Sequence, residues 1–152
     1  MSRIPSIDTL RDEFTFLDDM EDKFRYLIDL GGKLPEFPYE LRDRAHAVPG
    51  CTAQVWMDYG WQDGRLNMRL MSDASIVSGL LAIMMAAYND RTPDEIMATD
   101  PKALFASLGL EGQMTANRRN GFVAVSGRIQ ALAQLQAAGK MPAPGQHTPS
   151  HR

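Results

Sequence analysis

The sequence predicts an α+β fold in which a small antiparallel sheet, formed as a β-hairpin, is covered by helices. Two observations support this class. Apolar and polar residues alternate over 55–61 and again over 66–70, and the turn signal Asp63-Gly64 lies between the two stretches, which is the pattern of a β-hairpin. Elsewhere apolar residues recur every three or four positions, which is the spacing of amphipathic helices.

Two helices are expected before the hairpin. The apolar stripe of the first consists of Ile7, Leu10, Phe14 and Leu17. The stripe of the second consists of Met20, Phe24, Leu27 and Ile28, and Gly31-Gly32 ends that helix. Residues 33–50 contain Pro35, Pro38 and Pro49 without helical periodicity, so we expect an irregular segment there.

Further helices are expected after the hairpin. The stretch 76–88 is apolar on most sides, which indicates a buried helix, with Ser72 or Asp73 as its N-cap. Two short helices each begin with a capping residue followed by proline, at Thr92-Pro93 and Asp100-Pro101. The last long helix is expected to begin near Thr115, with a stripe at Phe122, Val125, Ile129 and Leu132.

The length and composition fit one globular domain followed by a tail. The chain has 152 residues, of which 44% are apolar and 23% charged, values typical of a soluble domain. From Gly139 onward the composition shifts to Pro, Gly, Ser, Thr and His. We therefore predict a single domain over 1–138 and a disordered tail over 139–152.

Several classes of function are disfavoured by composition. The chain has 16 basic and 19 acidic residues, a formal charge of −3, with both signs mixed along it, so we expect no nucleic-acid partner. The N-terminus lacks the apolar region of a signal peptide, and the run 76–88 is too short to span a bilayer, so we expect no membrane partner. Its single cysteine suits a reducing compartment, which predicts a cytoplasmic protein. No cluster of side chains has the spacing of a metal site.

Cys51 is the candidate for chemistry. It follows the turn signal Pro49-Gly50 and precedes the first strand, so its thiol is expected at the tip of a loop held by a rigid scaffold. Three groups upstream, Arg42, Arg44 and His46, would favour the reactive thiolate if any of them folds back toward it.

Alternative readings of these residues are structural. A lone cysteine such as Cys51 is commonly a small buried hydrophobe. By the same reasoning Trp56 would be a strand packing residue, Gln54 a solvated one, Asp73 a helix cap and Arg118 a solvated residue in the first turn of the last helix.

Two other functions remain open. A thiol hydrolase would use Cys51 with His46 as its base, but such a site also needs a group that orients the base, and the sequence shows none. The other alternative is a binding module that does not use its cysteine.

The order of the motifs resembles the SufE family, whose members accept sulfur from cysteine desulfurases during iron–sulfur cluster assembly. The central motif, Gly-Cys-x-x-Gln-Val-Trp in the family, is matched by residues 50–56. Leu30-Gly31-Gly32-Lys33-Leu34-Pro35 is similar to Leu-Gly-x-x-Leu-Pro, and 72–80 to Ser-Asp-Ala-x-Ile-Val-x-Gly-Leu. Thr92-Pro93 with Ile96 also fits, and the resemblance extends from about residue 10 to residue 136.

The resemblance implies a function for the whole chain. Cys51 would take sulfur as a persulfide from a partner cysteine desulfurase, stimulate that enzyme, and pass the sulfur to an iron–sulfur scaffold. The protein would then be a carrier and not an enzyme. Pyridoxal phosphate (PLP) would belong to the desulfurase, and this chain would hold no cofactor and no metal.

The resemblance also implies which residues contact the partner: Gly50, Thr52, Gln54, Asp73 and Arg118. The motif around Arg118 departs from the family's Leu-Thr-Pro-Ser-Arg-x-x-Gly, since Ala116-Asn117 replaces Pro-Ser. Thr115 and alanine still suit the start of a helix, so the departure concerns partner contacts and leaves the fold expectation unchanged.

Overall fold

The computed structural model describes residues 3–50, 53–110 and 115–139, with the backbone alone for 116–118. The helices are α1 (Ile7–Thr15), α2 (Met20–Gly31), α3 (Ser75–Tyr88), α4 (Pro93–Met97), α5 (Pro101–Ser107) and α6 (Ala116–Ala137). The strands are β1 (Val55–Gln62) and β2 (Arg65–Ser72), and two short 3-10 turns, Tyr39–Leu41 and Arg44–His46, lie in the segment before β1. The predicted α+β class is confirmed.

The hairpin forms where the alternation predicts it. Strands β1 and β2 pair antiparallel from Val55 opposite Ser72 to Gln62 opposite Arg65. Asp63 and Gly64 connect them with φ of 54° and 76°, the left-handed pair that a two-residue hairpin turn requires. One face of the sheet is buried against the helices and contains Val55, Met57, Leu66, Met68 and Leu70.

Helix α3 is the centre of the core. It packs against α2 and β2 and also contacts α1, α4 and α6. Every residue from Gly79 to Met85 is buried, because the helix has neighbours on most sides. The prediction of a buried helix is therefore confirmed.

Two glycines allow α2 and α3 to approach closely. A Cβ at Gly31 would lie 2.7 Å from the Cβ of Ser78, and a Cβ at Gly79 would lie 2.8 Å from the Cβ of Leu27. Both distances are shorter than a carbon–carbon contact allows. The two glycines come from different motifs of the sequence, and the fold brings these motifs together.

Most predicted helix starts are confirmed, and one is wrong. Thr92 and Asp100 accept backbone N–H groups at the starts of α4 and α5, as predicted, and Asp19 does the same at the start of α2. For α3 the N-cap residue is Ala74, and no side chain caps it. Ser72 is the last residue of β2 and Asp73 follows it. Both bond to Gln54 just before β1, and the side chain of neither caps α3.

The proposed division into a domain over 1–138 and a tail over 139–152 stays a prediction. Residues 140–152 lie outside the described residues. The last turn of α6 ends at Ala137, and Gly139 follows with φ of 70°, a left-handed residue of the kind that commonly ends a helix.

Candidate functional site

The structure describes some of the predicted site residues and not others. Cys51 and Thr52 lie outside the described residues, and so does the side chain of Arg118, whose backbone is in the first turn of α6. Gly50, Gln54 and Asp73 are described. The structure therefore defines the frame on both sides of Cys51.

The 49–54 loop, which contains Cys51, is closed at its base by main-chain pairing. The N–H group of Val48 donates to the carbonyl oxygen of Val55 at 2.9 Å. Ala47 and Trp56 form an antiparallel bridge one position further out. The chain therefore leaves the sheet and returns to it within six residues.

Gly50, which precedes Cys51 in the 49–54 loop, lies against α6. Gly50 has φ of +92°, and a Cβ at this position would lie 3.3 Å from the Cβ of Ala124. A side chain at position 50 would be strained by the backbone angle and tight against α6. Ala124 is a neighbour of the loop that the sequence did not reveal, because its contact is with a residue more than seventy positions away.

Gln54, the last residue of the 49–54 loop, is held by the end of β2 and the residue that follows it. The N–H group of Gln54 donates to Oδ1 of Asp73 at 3.2 Å, and the N–H group of Asp73 donates to the carbonyl oxygen of Gln54 at 3.3 Å. Ser72 Oγ donates to the same carbonyl oxygen at 2.8 Å. Gln54 and Asp73, predicted separately as site residues, are thus brought together.

Ser72 is a further residue that holds the loop. Besides its bond to Gln54, its Oγ accepts the N–H group of Ala74 at 3.1 Å. The hydroxyl therefore connects the 49–54 loop to the start of α3. The sequence offered one signal for this role: Ser72 is a polar residue at the end of the second predicted strand, which a hairpin places opposite the start of the first.

A groove with two arginines opens beside the loop. Its volume is about 410 Å³. We call it the basic groove and define it by its lining residues, which are Arg42, Asp43, Arg44, Ala47, Val48, Ala53, Gln54, Val55 and Trp56. Of the upstream cationic groups singled out in the sequence, Arg42 and Arg44 therefore face the loop region, while His46 is absent from the lining.

His46 has an orienting partner, so the expectation that it lacks one is wrong. Its Nδ1 lies 2.7 Å from Oδ1 of Asp43, and its backbone N–H group donates to the same oxygen at 3.1 Å. The hydrogen bond from His46 holds the pKa of the Asp43 carboxyl below its usual value. The signal was local, since an aspartate three residues before the histidine caps a 3-10 turn.

The described ranges contain neither a metal-ligand cluster nor a membrane-spanning helix. Within 3–50, 53–110 and 115–139, no three His, Cys, Asp or Glu side chains lie together as metal ligands would. In the same ranges no helix has the length and apolar character needed to cross a bilayer.

Comparison with known proteins identifies the family. Residues 8–133 match the SufE model, which is described as the Fe-S metabolism associated domain. The chain belongs to the SufE family. The resemblance of the motifs is therefore confirmed over most of the chain, including the loop, both strands and the helices around them.

Individual relatives agree with this assignment. The chain is 41% identical over 128 residues to the sulfur acceptor protein CsdE of Escherichia coli strain K12, which covers 84% of this chain and 87% of CsdE. It is 39% identical to an uncharacterized SufE-like protein of Rhizobium etli, covering 88% of this chain and 93% of that protein. A further SufE-like protein, from Rhizobium meliloti, is 37% identical, with 91% and 99% covered.

A solved structure supports the fold. The solution structure of a hypothetical protein from Thermus thermophilus superposes with a TM-score of 0.70, at 18% sequence identity, and covers 87% of this chain and 96% of that one. At this level of identity the match concerns the fold alone.

Proposed function

We propose that this SufE-family protein is a sulfur acceptor and carrier, and that Cys51 takes persulfide sulfur from a cysteine desulfurase. The observation that carries the proposal is the similarity to the sulfur acceptor protein CsdE, which extends over 84% of the chain. The frame of the 49–54 loop supports it, because the only cysteine of the chain lies in a short loop with defined bonds on both sides.

The chemistry needs a thiolate at Cys51. The thiolate attacks the outer sulfur of the desulfurase persulfide, the sulfur–sulfur bond of the donor breaks, and the desulfurase cysteine leaves as a thiolate. Arg42 and Arg44 line the basic groove beside the loop, and positive charge favours the thiolate form of a cysteine.

The persulfide formed on Cys51 is protected from one side reaction. A second thiol close to a persulfide can displace sulfide and form a disulfide. Because the chain contains one cysteine, Cys51 has no intramolecular partner for that reaction. The sulfur therefore stays available for an iron–sulfur assembly scaffold, which we propose as its recipient.

The protein acts in this scheme as a carrier that stimulates its partner and is not an enzyme. PLP is bound by the desulfurase, and we propose neither a cofactor nor a metal for this chain. The proposed contacts with the desulfurase come from Gly50, Thr52, Gln54, Asp73 and Arg118, and the proposed compartment is the cytoplasm.

Mass spectrometry tests the proposal directly. After incubation with a cysteine desulfurase, PLP and free cysteine, the wild-type protein is expected to gain sulfur at Cys51. Cys51→Ser, which changes one atom of the side chain, is expected to gain none and to leave the desulfurase unstimulated. Full stimulation by the serine variant would overturn the proposal.

One observation favours a second candidate, a thiol hydrolase. His46 has the orienting carboxylate of Asp43 at 2.7 Å, as the base of a cysteine hydrolase requires. His46→Ala separates the two functions. A hydrolase needs its general base, whereas a Cys51 thiolate can take up sulfur without one. Unchanged sulfur uptake by this variant, with no thioester hydrolysis by the wild type, supports the carrier.

A binding module that does not use its cysteine is tested by the same experiment. Such a protein would gain no sulfur at Cys51 and would bind its partner equally well after Cys51→Ser. Sulfur gained at Cys51 in the wild type would exclude it.

A further inference from the structure

Neither arginine of the basic groove forms an ion pair with a carboxylate of the described residues. The ion pairs of the described ranges involve other arginines, namely Arg11, Arg25, Arg65 and Arg69. Arg42 instead lies over the ring of Tyr39, with its guanidinium carbon 5.3 Å from the ring centroid. A cation–π contact of this kind does not consume the N–H donors of the guanidinium, which can still bind an anion.

Asp43 offsets the positive charge of the groove only in part, because the groove lining contains two arginines and one aspartate. It lines the groove between the two arginines in sequence, but its Oδ1 accepts both the backbone N–H group and Nδ1 of His46. The carboxylate therefore faces a histidine partner, and Arg42 and Arg44 remain without an acidic partner among the described residues. Charge complementarity favours an anionic occupant for the groove.

The size and the walls of the groove suit a small ligand. Its volume of about 410 Å³ lies in the range of small-molecule sites. Apolar side chains, Ala47, Val48 and Val55, and the aromatic Trp56 form its walls beside the two arginines. This combination of apolar walls with a few charged groups is typical of small-molecule sites.

The groove is close to the reactive cysteine along the chain. Ala53 lines it and follows Cys51 by two residues, so their Cα atoms are within about 7 Å of each other. Covalent geometry alone therefore keeps the backbone of Cys51 close to one wall of the groove, at a distance comparable to the length of a small persulfide.

We propose that the basic groove binds the carboxylates of a low-molecular-weight persulfide, such as glutathione persulfide, and that this compound loads Cys51 without a desulfurase. The proposal rests on the proposed role of Cys51 as a sulfur acceptor. The Cys51 thiolate attacks the outer sulfur, the donor sulfur–sulfur bond breaks, and a new sulfur–sulfur bond forms at Cys51. The donor leaves as a thiolate, the proton of the outer sulfur stays with that sulfur, and no external oxidant is needed.

The test compares two donors and two variants. Wild-type protein is mixed with glutathione persulfide, which has two carboxylates, or with the persulfide of 2-mercaptoethanol, which has none, and the rate of sulfur gain at Cys51 is followed by mass spectrometry. The same rates are measured for the double variant Arg42→Gln/Arg44→Gln. Arg25→Ala is the matched control, because Arg25 is exposed on α2 and α2 lines no part of the groove.

The wild type is expected to gain sulfur faster from glutathione persulfide than from the persulfide of 2-mercaptoethanol. The double variant should lose this preference by about threefold to thirtyfold, the combined effect of two exposed ion pairs. Arg25→Ala should keep it. Removing two positive charges would also lower the thiolate fraction of Cys51 and slow every reaction of its thiol. Each rate with glutathione persulfide is therefore divided by the rate with the neutral donor, and alkylation by iodoacetamide measures the reactivity of the thiol itself.

Several outcomes would overturn the proposal. One is a double variant that keeps the preference, and another is an equal loss of rate with both donors, which would show that the arginines act only on the thiol. If glutathione persulfide fails to load Cys51 while a desulfurase with cysteine succeeds, this proposal falls and the carrier function stands. If neither glutathione persulfide nor the desulfurase with cysteine loads Cys51, this proposal and the carrier function are both overturned.

A binding measurement that needs no reaction provides a second check. S-methylglutathione keeps both carboxylates and cannot transfer sulfur. Its addition is expected to shift the backbone amide resonances of Ala47, Val48 and Trp56 in the wild type, and not in the double variant. Unchanged resonances in the wild type at millimolar ligand would contradict the groove as its site.

Discussion

Replacing Gly79 by alanine is expected to lower the free energy of unfolding by about 1–2 kcal/mol. The new Cβ would lie 2.8 Å from the Cβ of Leu27 and 2.7 Å from its carbonyl carbon, whereas carbon atoms in contact are separated by about 3.5–4.0 Å. Helices α2 and α3 must therefore separate by about 1 Å.

The magnitude follows from two opposing terms. Inserting a methyl group into a packed core costs about 1–3 kcal/mol, and the upper half of that range applies because the obstacle is main chain, which cannot rotate away. Alanine is the better helix former by about 1 kcal/mol, which offsets part of the cost. For a domain of this size the net effect corresponds to a fall in Tm of about 2–8 °C.

Gly127→Ala is the matched control. Gly127 is also inside a helix, α6, and a Cβ there would meet no atom within 4 Å. This variant is expected to be more stable than the wild type by about 0.5–1 kcal/mol. Both substitutions change the unfolded chain in the same way, so their difference measures the packing of α2 on α3.

Urea denaturation followed by circular dichroism, with a reductant present, gives the three free energies. If Gly79→Ala is as stable as Gly127→Ala, the close approach of α2 and α3 does not require a glycine at position 79, and the reasoning is refuted.

Four further outcomes are expected. Asp73→Ala removes the acceptor of the Gln54 N–H group and should speed alkylation of Cys51, whereas Asp73→Asn keeps an acceptor oxygen; equal rates for both variants would contradict the role of Asp73. Arg118→Ala should weaken desulfurase binding with little change in Tm, and an unaltered affinity would remove that residue from the docking surface. Truncation after Ala138 should leave Tm and sulfur uptake unchanged, so a large loss of either would show that the tail docks. Burial, and to a smaller extent the hydrogen bond to Glu13, raises the pKa of Tyr26 to about 12 from a usual 10.0. The stabilising contribution of Tyr26 is therefore complete below pH 10 and is lost as the pH rises toward 12. In denaturation curves measured across this range, Tyr26→Phe should lose less free energy of unfolding than the wild type.

The local features of the fold were predictable from the sequence. The hairpin depends on alternation and on Asp63-Gly64, which adopt the required left-handed angles. The start of α4 depends on Thr92 and Glu95, which form reciprocal bonds within one turn of helix. Each of these signals involves residues that are close in sequence, so no knowledge of the tertiary structure was needed.

The frame of the site was predictable only in part. Gln54 and Asp73 were selected by family resemblance, but their pairing depends on the register of β1 against β2, which places the ends of the two strands side by side. The contact of Gly50 with Ala124 depends on how α6 packs. The error about the cap of α3 has the same origin, since the loop competes for the polar groups of Ser72 and Asp73.

The bonds that hold the 49–54 loop involve main-chain atoms of Val48, Gln54 and Val55, which every amino acid except proline provides in full. These bonds therefore fix the route of the chain while leaving the identity of the side chain at position 54 open, whereas Gly50 is needed for its backbone angle of +92°. A substitution at Gln54 can then change what this end of the loop presents to a partner, while the path of the chain on either side of the cysteine is preserved.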